Sequence, residues 1–267
     1  MSLVGHLPSG LGRILVTFPV FNEEHRLAEA IERTERCLNA YSTSFQIAVA
    51  EDGSTDGTKA VLETLKTTRP HLVVQSLHKK MGRGYALRKL WEVTDADTYV
   101  FIDADLSTDP ANIIRLLGVV SSGYDIVIGS RYVDGAHVVR PPLRHWTSLS
   151  YNWLLRALFK DGVMDHQCGL KAFTKAAVCK LLKVSREDSW FWDTEAIVKG
   201  QRLGLKLAEV PVDWSEKKHR RTSITRLAHD IYLHGTGVIR LKSELNMGAT
   251  QPTEDMHLCS GVGDVLR

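Results

Sequence analysis

Residues 99–109 read Tyr-Val-Phe-Ile-Asp-Ala-Asp-Leu-Ser-Thr-Asp and are the most informative part of the chain. Residues 99–102 form an apolar run typical of a short buried strand, and Asp103 and Asp105 follow it directly. In an open α/β sheet, ligands bind beyond the carboxyl ends of the strands. Mg²⁺ usually takes one or two protein carboxylates together with phosphate oxygens, so this Asp-Ala-Asp indicates a site for a divalent cation and a diphosphate. A strand end with solvated acids explains the same residues, and the motif alone leaves both interpretations open.

An alternation of strands and helices extends in both directions from this stretch. Helical periodicity predicts helices at residues 23–38, 58–66, 85–93 and 112–120. Apolar or β-branched runs predict strands at residues 14–20, 45–50, 72–77, 99–102 and 125–128. This alternation predicts an α/β fold with a mostly parallel, doubly wound sheet flanked by helices.

Polar clusters follow four of the predicted strands, at residues 19–23, 51–57, 103–109 and 129–131. Because the carboxyl ends of parallel strands meet at one edge of a sheet, we expect these clusters to lie there. In the first cluster, Pro19 ends the strand and Asn22 is expected to cap the following helix.

A further polar segment, Lys-Lys-Met-Gly-Arg-Gly at residues 79–84, precedes a predicted helix. Glycines and cations at a helix N-terminus predict a phosphate-binding loop. The segment matches neither a P-loop nor a Rossmann fingerprint, so those two nucleotide-binding classes are disfavoured.

The second half of the chain is less regular. It predicts a loop at residues 133–145, a helix at 146–159, a strand at 205–214 and an amphipathic helix at 224–241. No linker divides the chain, so we predict a single domain. Its expected organisation is an N-terminal extension at residues 1–12, the domain at 13–243 and a flexible C-terminal tail at 244–267.

Charge is distributed unevenly along the 267 residues. Residues 1–130 carry 13 Lys and Arg against 16 Asp and Glu, whereas residues 131–267 carry 21 against 15. An acidic half with a cation motif, followed by a basic half, indicates an anionic substrate or surface that the second half contacts. No nucleic-acid-binding module is recognisable, so we expect no nucleic acid as a partner.

The sequence also indicates a compartment. The four cysteines show no C-x-x-C pair, disulfide framework or zinc spacing, which favours a reducing environment. No apolar run approaches the ~18–20 residues that span a bilayer, and no signal-peptide core is present. We therefore expect a cytoplasmic protein, either soluble or peripheral on the cytoplasmic membrane face. The basic residues 213–226 and the helix after them fit a membrane surface, although a solvated charge run beside a core-packed helix explains them equally.

Taken together, these segments resemble family-2 glycosyltransferases with the GT-A fold. The similarity is to the branch that transfers a hexose from a nucleotide sugar to a polyprenyl or dolichyl phosphate. The resemblance implies that residues 13–131 form the nucleotide-sugar half and residues 132–243 the acceptor half. The segments that match occur in the family's order, at residues 19–23, 52–58, 82–84, 103–105, 129–132, 165–171, 191–195 and 209–214.

Two segments narrow the resemblance. Asp-Ala-Asp-Leu-Ser-Thr at residues 103–108 and Gln-Cys-Gly-Leu-Lys at residues 167–171 are similar to the dolichyl-phosphate glucose synthases. The mannose synthases tend to carry Gln in place of Ser107. The resemblance therefore implies UDP-glucose as the first expected donor and GDP-mannose as the second, with Mg²⁺ or Mn²⁺ as the cation.

The resemblance also implies roles for single residues. Asp103 and Asp105 would bind the metal, and the catalytic residues would be Asp105, Arg131 and Asp193. The polyprenyl or dolichyl phosphate would be received by Arg131, Arg144, Arg220 and Arg221. The nucleotide sugar would contact Pro19, Phe21, Glu23, Asp52, Arg83, Asp103, Ala104 and Asp105.

Two alternative functions remain open. A soluble or glycan hydroxyl acceptor would need a general base, for which Asp193 is the candidate. With a phosphate acceptor, Asp193 would instead orient Arg131 or the sugar, and a helix N-terminus enriched in acids explains Asp193 and Glu195 without either role. The second alternative is a non-catalytic nucleotide-sugar-binding subunit of a membrane complex, against which the intact Asp103 and Asp105 argue. A sugar nucleotidyltransferase is disfavoured, because residues 19–23 lack the glycines and arginines that it needs.

Overall fold

The computed structural model describes residues 11–41, 44–216 and 224–247, without the side chains of residues 143–144 and 224–234. A seven-stranded sheet forms its centre. The strands of that sheet are β1 (Ile14–Val20), β2 (Phe45–Glu51), β3 (Val73–Ser76), β4 (Thr98–Ile102), β5 (Ile126–Ser130), β7 (Leu170–Thr174) and β8 (Leu207–Pro211). A separate parallel pair joins β6 (His137–Val139) to β9 (Asp213–Ser215).

The strand order in the large sheet is β3-β2-β1-β4-β7-β5-β8. β7 runs antiparallel to β4 and β5, and the other pairings are parallel. The predicted α/β fold with a mostly parallel sheet is confirmed.

Helices cover both faces of this sheet. The described part of the chain contains α1 (Leu27–Asn39), α2 (Thr58–Thr68), α3 (Arg83–Val93), α4 (Asn112–Ser121), α5 (Pro142–Phe159), α6 (Lys175–Val184), α7 (Trp192–Arg202) and α8 (Ile224–Asn246). α1, α2 and α4 contribute to one hydrophobic cluster, and α3, α6 and α7 contribute to the other.

β1 shows why the strands of this sheet read as continuous apolar runs. Val16 and Phe18 are buried in the first cluster, and Leu15 is buried in the second. Successive side chains of a strand point to opposite faces, so a strand covered on both faces needs apolar residues at every position. The one polar side chain inside this run, Thr17, accepts a hydrogen bond at 3.0 Å from the indole N–H of Trp91 in α3.

The first predicted helix begins later than expected, and the predicted cap at Asn22 is wrong. α1 begins at Leu27, whose N–H donates to the carbonyl of Glu23 at 3.0 Å. Asn22 adopts a left-handed φ of +58°. Its side-chain carbonyl accepts a hydrogen bond at 2.8 Å from the N–H of Thr55, so it joins two loops instead of capping a helix.

The second half of the chain contains elements that the sequence patterns did not predict. β7, α6 and α7 fall in the segment between the predicted helix at 146–159 and the predicted strand at 205–214. β6 and the first turn of α5 fall in the predicted loop. The predicted strand at residues 205–214 is divided between β8 and β9. Pro211 is the last residue of β8 and pairs with Ser130 of β5, and the N–H of Val212 after it still donates to the carbonyl of Ser130 at 3.2 Å.

The C-terminal helix packs against the rest of the domain. Leu241 of α8 is buried with Leu155 and Phe159 of α5 and with Phe191 and Val198 next to and within α7. α8 ends at Asn246, inside the segment predicted as a tail. The apolar face predicted for its first half lies outside the described side chains, as do residues 1–10 and 248–267.

Two findings bear on the predicted compartment. Cys37 and Cys168 are free thiols, whereas Cys179 is disulfide-bonded, so the cysteines do not support the inference of a reducing environment. Within the described ranges, no helix combines the length and the apolar character needed to cross a membrane.

Candidate active site

The predicted polar clusters meet at one edge of the sheet. β1, β2, β4 and β5 share one direction, so their carboxyl ends lie at the same edge, where the antiparallel β7 begins. Ile102 pairs with Leu170, which places Asp103 beside Gly169. The N–H of Asp103 donates to the carbonyl of Gly169 at 2.9 Å and fixes this arrangement.

Asp103 lies in close contact with the backbone that leads into β7. A Cβ atom at Gly169 would collide with Asp103 Oδ2, so a residue with a side chain cannot replace this glycine without displacing the carboxylate. Burial raises the pKa of Asp103 to about 7, helped by the negative charges of Asp105 and Asp193, although Arg83 acts in the opposite direction. A bound cation would stabilise such a carboxylate in its charged form.

Asp105 is held by the turn that follows. Its carboxylate accepts hydrogen bonds from the backbone N–H and the hydroxyl of Ser107, at 2.8 and 3.0 Å, and Leu106 adopts a φ of +48° between them. No group of three or more His, Cys, Asp or Glu suited to a metal occurs among the residues that the structure describes. Mg²⁺ or Mn²⁺ that also binds a diphosphate needs only one or two carboxylates, so Asp103 and Asp105 fit the predicted cation.

Arg83 forms a direct ion pair with the first of these acids. Its Nη2 lies 2.9 Å from Asp103 Oδ1, and its Nη1 donates a hydrogen bond to Asp193 Oδ2 at 2.8 Å. The guanidinium carbon lies 4.7 Å from the ring centre of Phe101 and 4.5 Å from that of Trp190. Burial alone would lower the pKa of Arg83. The neighbouring acids outweigh burial and raise this pKa, with Asp103 contributing most among them, so the side chain remains a permanent cation.

The first two loops of the edge form one hydrogen-bonded unit. The N–H of Glu23 donates to Thr58 Oγ1 at 2.9 Å, and Asn22 binds Thr55 as described above. Phe21 lies beside the loop at residues 79–84, with Lys80 Nζ 4.2 Å from its ring centre. Pro19 is half-buried at the end of β1, and Ala104, which stands between Asp103 and Asp105 in the chain, is buried.

Asp52 has a structural role that the sequence did not predict. It is buried, and its carboxylate accepts backbone N–H hydrogen bonds from Met81 at 2.7 Å and from Gly82 at 2.9 Å. Burial raises the pKa of Asp52 despite these two bonds. The N–H of Tyr85 is also used, because it donates to the carbonyl of Asp188 at 3.1 Å.

These bonds change the interpretation of residues 79–84. The prediction of a backbone cradle for phosphate is wrong for Met81, Gly82 and Tyr85, since their N–H groups are already paired within the protein. The side chain of Arg83 is the group that this loop brings to the acids. Contact of Asp52 with a nucleoside stays a prediction.

On the other side of the edge, Arg131 forms a paired unit with Asp165. Arg131 Nε and Nη2 donate to the two carboxylate oxygens of Asp165 at 2.7 and 2.8 Å, and its backbone N–H adds a third bond at 3.0 Å. Both side chains are buried. Burial would raise the pKa of Asp165, but Arg131 outweighs it and lowers that pKa below its usual range.

Asp193 lies beside Arg83 and not beside Arg131. Its side chain is 3% exposed, and Oδ2 lies 3.5 Å from Lys171 Nζ in addition to its bond with Arg83. The expectation that Asp193 orients Arg131 is therefore wrong, because its partners are Arg83 and Lys171. Glu195 is used structurally: it accepts the N–H groups of Arg186 and Glu187 and pairs with Lys199 at 2.7 Å.

Arg220 and Arg221 lie outside the described residues, and the side chain of Arg144 is not described.

The family described as Glycosyl transferase family 2 matches residues 16–184. The chain belongs to glycosyltransferase family 2.

Three curated proteins of similar sequence show which members of the family the chain resembles. Glycosyltransferase AglD of Haloferax volcanii is 34% identical over 230 residues, which cover 85% of this chain and 36% of AglD.

Two other relatives are matched over most of their length. The dolichyl-phosphate beta-glucosyltransferase ALG5A of Trichomonas vaginalis is 29% identical over 227 residues, covering 80% of this chain and 70% of that protein. The polyprenol monophosphomannose synthase of Mycolicibacterium smegmatis is 28% identical over 234 residues, covering 82% of this chain and 87% of that protein. The chain therefore spans just over a third of AglD and the larger part of the other two.

A solved structure shares the fold of this family-2 chain. Glucosyl-3-phosphoglycerate synthase from Mycobacterium tuberculosis, in complex with Mn²⁺, UDP and glucosyl-3-phosphoglycerate, superposes with a TM-score of 0.63 at 21% identity. The match covers 91% of this chain and 82% of that one. The GT-A fold predicted for the chain is confirmed.

Several residues at the edge were not predicted to take part in the site. Lys171 lies in β7, whose other residues are mostly apolar. A buried lysine is nearly always paired with an acid, so a lysine in such a strand could have been identified as part of a charged site. Trp214 lies 5.6 Å from the guanidinium carbon of Arg131 and 5.2 Å from that of Arg140. Trp214 lies in the matching segment 209–214, but no role was assigned to it. No sequence pattern identifies Trp190 or Arg140, because their positions depend on contacts between distant segments.

Proposed function

We propose that this chain transfers a hexose, glucose as the first candidate and mannose as the second, from a nucleotide sugar to a polyprenyl phosphate. The observation that carries the proposal is the arrangement of Asp103, Asp105 and Arg83 at the carboxyl edge of the sheet. Two carboxylates for a cation and an arginine within 2.9 Å of one of them suit a nucleoside diphosphate. The names of the dolichyl-phosphate beta-glucosyltransferase ALG5A and of the polyprenol monophosphomannose synthase support a lipid phosphate as the acceptor.

The position of Asp193 favours a phosphate acceptor over a hydroxyl. A sugar hydroxyl must lose a proton as it attacks, and a general base must be within hydrogen-bond reach of that proton. Asp193 is 3% exposed and lies between Arg83 and Lys171, which makes it a poor base. A phosphate monoester is already an anion near pH 7, with a second pKa of ~6, and needs no base.

The reaction would be a single in-line displacement. An oxygen of the acceptor phosphate forms a bond to the anomeric carbon while the bond from that carbon to the nucleoside diphosphate breaks. Mg²⁺ or Mn²⁺ held by Asp103 and Asp105 would supply positive charge to the departing diphosphate. The displacement inverts the anomeric centre and gives a β-linked product from an α-linked donor.

We place the acceptor phosphate on the side of the edge that holds Arg131. Arg131 uses two of its N–H groups for Asp165, and its guanidinium has further N–H groups for an anion. Arg140 approaches the same Trp214 ring, and Trp214 is next to Ser215, whose N–H donates to the carbonyl of Ser107 at 2.7 Å. Arg144, Arg220 and Arg221 remain proposed partners of the same phosphate.

A polyprenyl chain requires access to a membrane, and α5 carries a surface that suits one. Trp146 and Trp153 are each 64% exposed and lie two helical turns apart on the same side of α5. Indole rings favour the boundary between headgroups and hydrocarbon. We therefore propose a peripheral location on the membrane surface.

The test is transfer of labelled sugar from UDP-glucose and from GDP-mannose to a short polyprenyl phosphate, with Mg²⁺ or Mn²⁺. We expect transfer from one donor, a β-linked product, and a loss of at least about 100-fold in Asp105→Asn. Glu35→Gln is the control, because it removes an ion pair with Arg69 between α1 and α2, away from this edge. A product of retained configuration would contradict the displacement.

Two outcomes would favour the alternatives. Transfer to a soluble or glycan hydroxyl, but not to a lipid phosphate, would make Asp193 the candidate base. Donor binding without transfer to any acceptor, with the purified chain alone, would indicate a nucleotide-sugar-binding subunit.

A further inference from the structure

Arg83 contacts the oxygen of Asp103 that is not packed against Gly169. Asp103 Oδ2 is packed against Gly169, where not even a Cβ atom would fit, and Asp103 Oδ1 is 2.9 Å from Arg83 Nη2. A cation that binds Asp103 through Oδ1 would therefore share this oxygen with Arg83. Two positive charges on one carboxylate oxygen repel each other strongly in a partly buried site.

The net charge of the residues around Arg83 indicates which ligand could accompany the cation. Arg83 and Lys171 are its cations, and Asp103, Asp105 and Asp193 are its acids. The cluster is therefore one negative charge in excess. A divalent cation alone makes it one positive charge in excess, whereas a divalent cation together with the two charges of a donor diphosphate restores the original balance.

Arg83 has unused hydrogen-bonding capacity for such a diphosphate. Although it is 6% exposed, its Nε and Nη2 atoms make no hydrogen bond with the residues that the structure describes, and its Nη2 contact with Asp103 is an ion pair only. Buried polar atoms without a partner are uncommon in proteins and need an explanation. Asp193 holds the Nη1 side of the same guanidinium at 2.8 Å, so Arg83 can leave Asp103 and stay anchored.

We propose that Arg83 is the resident counter-ion of Asp103 and gives up this oxygen to the cation only when a nucleoside diphosphate enters with it. Asp193 is the positioning residue that holds Arg83 during the exchange. The consequence is that cation and nucleotide bind cooperatively, each raising the affinity of the site for the other. This inference rests on the proposed function, since it assumes that the donor is a nucleotide sugar.

The experiment measures binding and needs no turnover. Mn²⁺ affinity is determined by electron paramagnetic resonance for the full chain, first with Mn²⁺ alone and then with UDP or GDP present. The proposal predicts opposite signs for Arg83→Gln: affinity for Mn²⁺ alone rises several-fold, because the competing cation is gone, while affinity for the Mn²⁺–nucleotide pair falls at least about tenfold.

Asp193→Asn supplies the complementary variant. With Asp193 neutral, Arg83 has no second anion and stays on Asp103, so affinity for Mn²⁺ alone falls about tenfold. The double variant, Arg83→Gln with Asp193→Asn, has the charge of the original cluster. Because Arg83 is absent from the double variant, the change at Asp193 should lower the affinity for Mn²⁺ alone by much less than tenfold there, and the affinity for the nucleotide should stay low. Glu35→Gln, which breaks the distant pair with Arg69, should change neither value.

Trp190 provides a spectroscopic readout of the same exchange. Its ring is 52% exposed and lies 4.5 Å from the Arg83 guanidinium, so movement of Arg83 changes the surroundings of the indole. Addition of Mn²⁺ with nucleotide should change the emission of the original chain, and Trp190→Phe should abolish that change.

Specific results would overturn the proposal. If Arg83→Gln weakens binding of Mn²⁺ alone and of the pair to the same extent, Arg83 is not a competing counter-ion. If Asp193→Asn lowers the affinity for Mn²⁺ alone by the same factor whether residue 83 is Arg or Gln, Asp193 does not act through Arg83. If the original chain binds neither nucleotide, both this inference and the proposed function fail, whereas cooperative binding without any sugar transfer overturns the proposed function alone.

Discussion

The two buried arginines at the carboxyl edge of the sheet differ in how many of their N–H groups are hydrogen-bonded to their acidic partners. Arg131 gives two side-chain hydrogen bonds and one backbone hydrogen bond to Asp165 alone, with every distance between 2.7 and 3.0 Å. Arg83 is shared between Asp103 and Asp193, and two of its nitrogen atoms have no hydrogen bond to the described residues. The first is a closed pair, in which Nε and Nη2 of Arg131 are bonded to Asp165 and the remaining N–H groups are those proposed for the acceptor phosphate. The second is an open cluster, in which Nε and Nη2 of Arg83 are left for a further anion.

The same residue types therefore serve two purposes at this edge. A buried bidentate pair is costly to break, because removal of one partner leaves the other charged and unpaired. An incompletely bonded arginine next to a carboxylate of raised pKa is instead a site where ligand charges complete the structure. We therefore expect the Arg131 pair to contribute more to stability than the Arg83 cluster does, and the Arg83 cluster to control binding of the cation and the nucleotide.

The largest expected effect is on stability and comes from the closed pair. Asp165→Asn should lower the free energy of unfolding by about 3–5 kcal/mol, because it leaves the buried Arg131 guanidinium without a charge partner. Asp193→Asn should cost only about 1–2 kcal/mol, since Arg83 keeps Asp103 and Lys171 keeps its 2.7 Å bond to the carbonyl of Cys168. Urea unfolding measures both.

A double variant distinguishes the loss of a charge partner from a general failure to fold. Replacing both partners, Arg131→Met with Asp165→Leu, should recover most of the stability, because no buried charge is then left alone. Equal losses in Asp165→Asn and Asp193→Asn would remove the distinction between a closed and an open cluster.

The next effect concerns the geometry of the open cluster. Gly169→Ala should lower sugar transfer and Mn²⁺ binding, the transfer by about 100-fold, because the added methyl group displaces the Asp103 carboxylate. Gly118→Ala in α4 is the matched control. Apart from its chain neighbours and the backbone of its own helix, no atom lies within 4 Å of the place that an alanine Cβ would take, and alanine favours a helix, so activity should not change. Full activity of Gly169→Ala would show that Asp103 need not lie against β7.

The closed pair should also respond to acid. The pKa of Asp165 is lower in the folded chain than its unfolded value of ~3.9, so its contribution to stability is fully present above that value and is lost as the pH falls through the folded pKa. The stability difference between the original chain and Asp165→Asn should therefore shrink below about pH 4. Urea unfolding curves recorded from neutral pH down into this acidic range measure the difference, and a gap that stays constant throughout would contradict it.

The smallest effect is expected for the aromatic contact of Arg83. Trp190→Phe keeps a ring but weakens the cation–π contact, so nucleotide affinity should fall only about two- to fivefold. Calorimetry with UDP and GDP measures the change. A loss as large as that of Arg83→Gln would give Trp190 a direct role in binding the ligand.

The sequence predicted the strands and helices of the first half because most strands there contain an apolar run that a polar loop follows. The position of Asp103 and Asp105 at the edge followed from that pattern alone. β7 was not predicted, since it is five residues long, contains Lys171 and runs antiparallel between strands that are distant in sequence.

The partners of the charged residues could not be predicted from the sequence. Asp52 belonged to a motif that suggested contact with a ligand, yet its carboxylate binds the N–H groups of Met81 and Gly82. Asp193 is 110 positions away from Arg83 in the chain, and only the packing of α7 against α3 brings them together. Local patterns identify residue types at an edge, whereas pairing between them depends on the three-dimensional arrangement of the helices.

Two acceptors that differ only in the phosphate would test the proposed reaction without further assumptions. The purified chain is given its preferred nucleotide sugar with Mn²⁺, and either a polyprenyl phosphate or the polyprenol of the same chain length. We predict a β-linked sugar on the phosphate and none on the alcohol. Transfer to the alcohol at a comparable rate, lost in Asp193→Asn, would contradict this prediction and identify Asp193 as a general base.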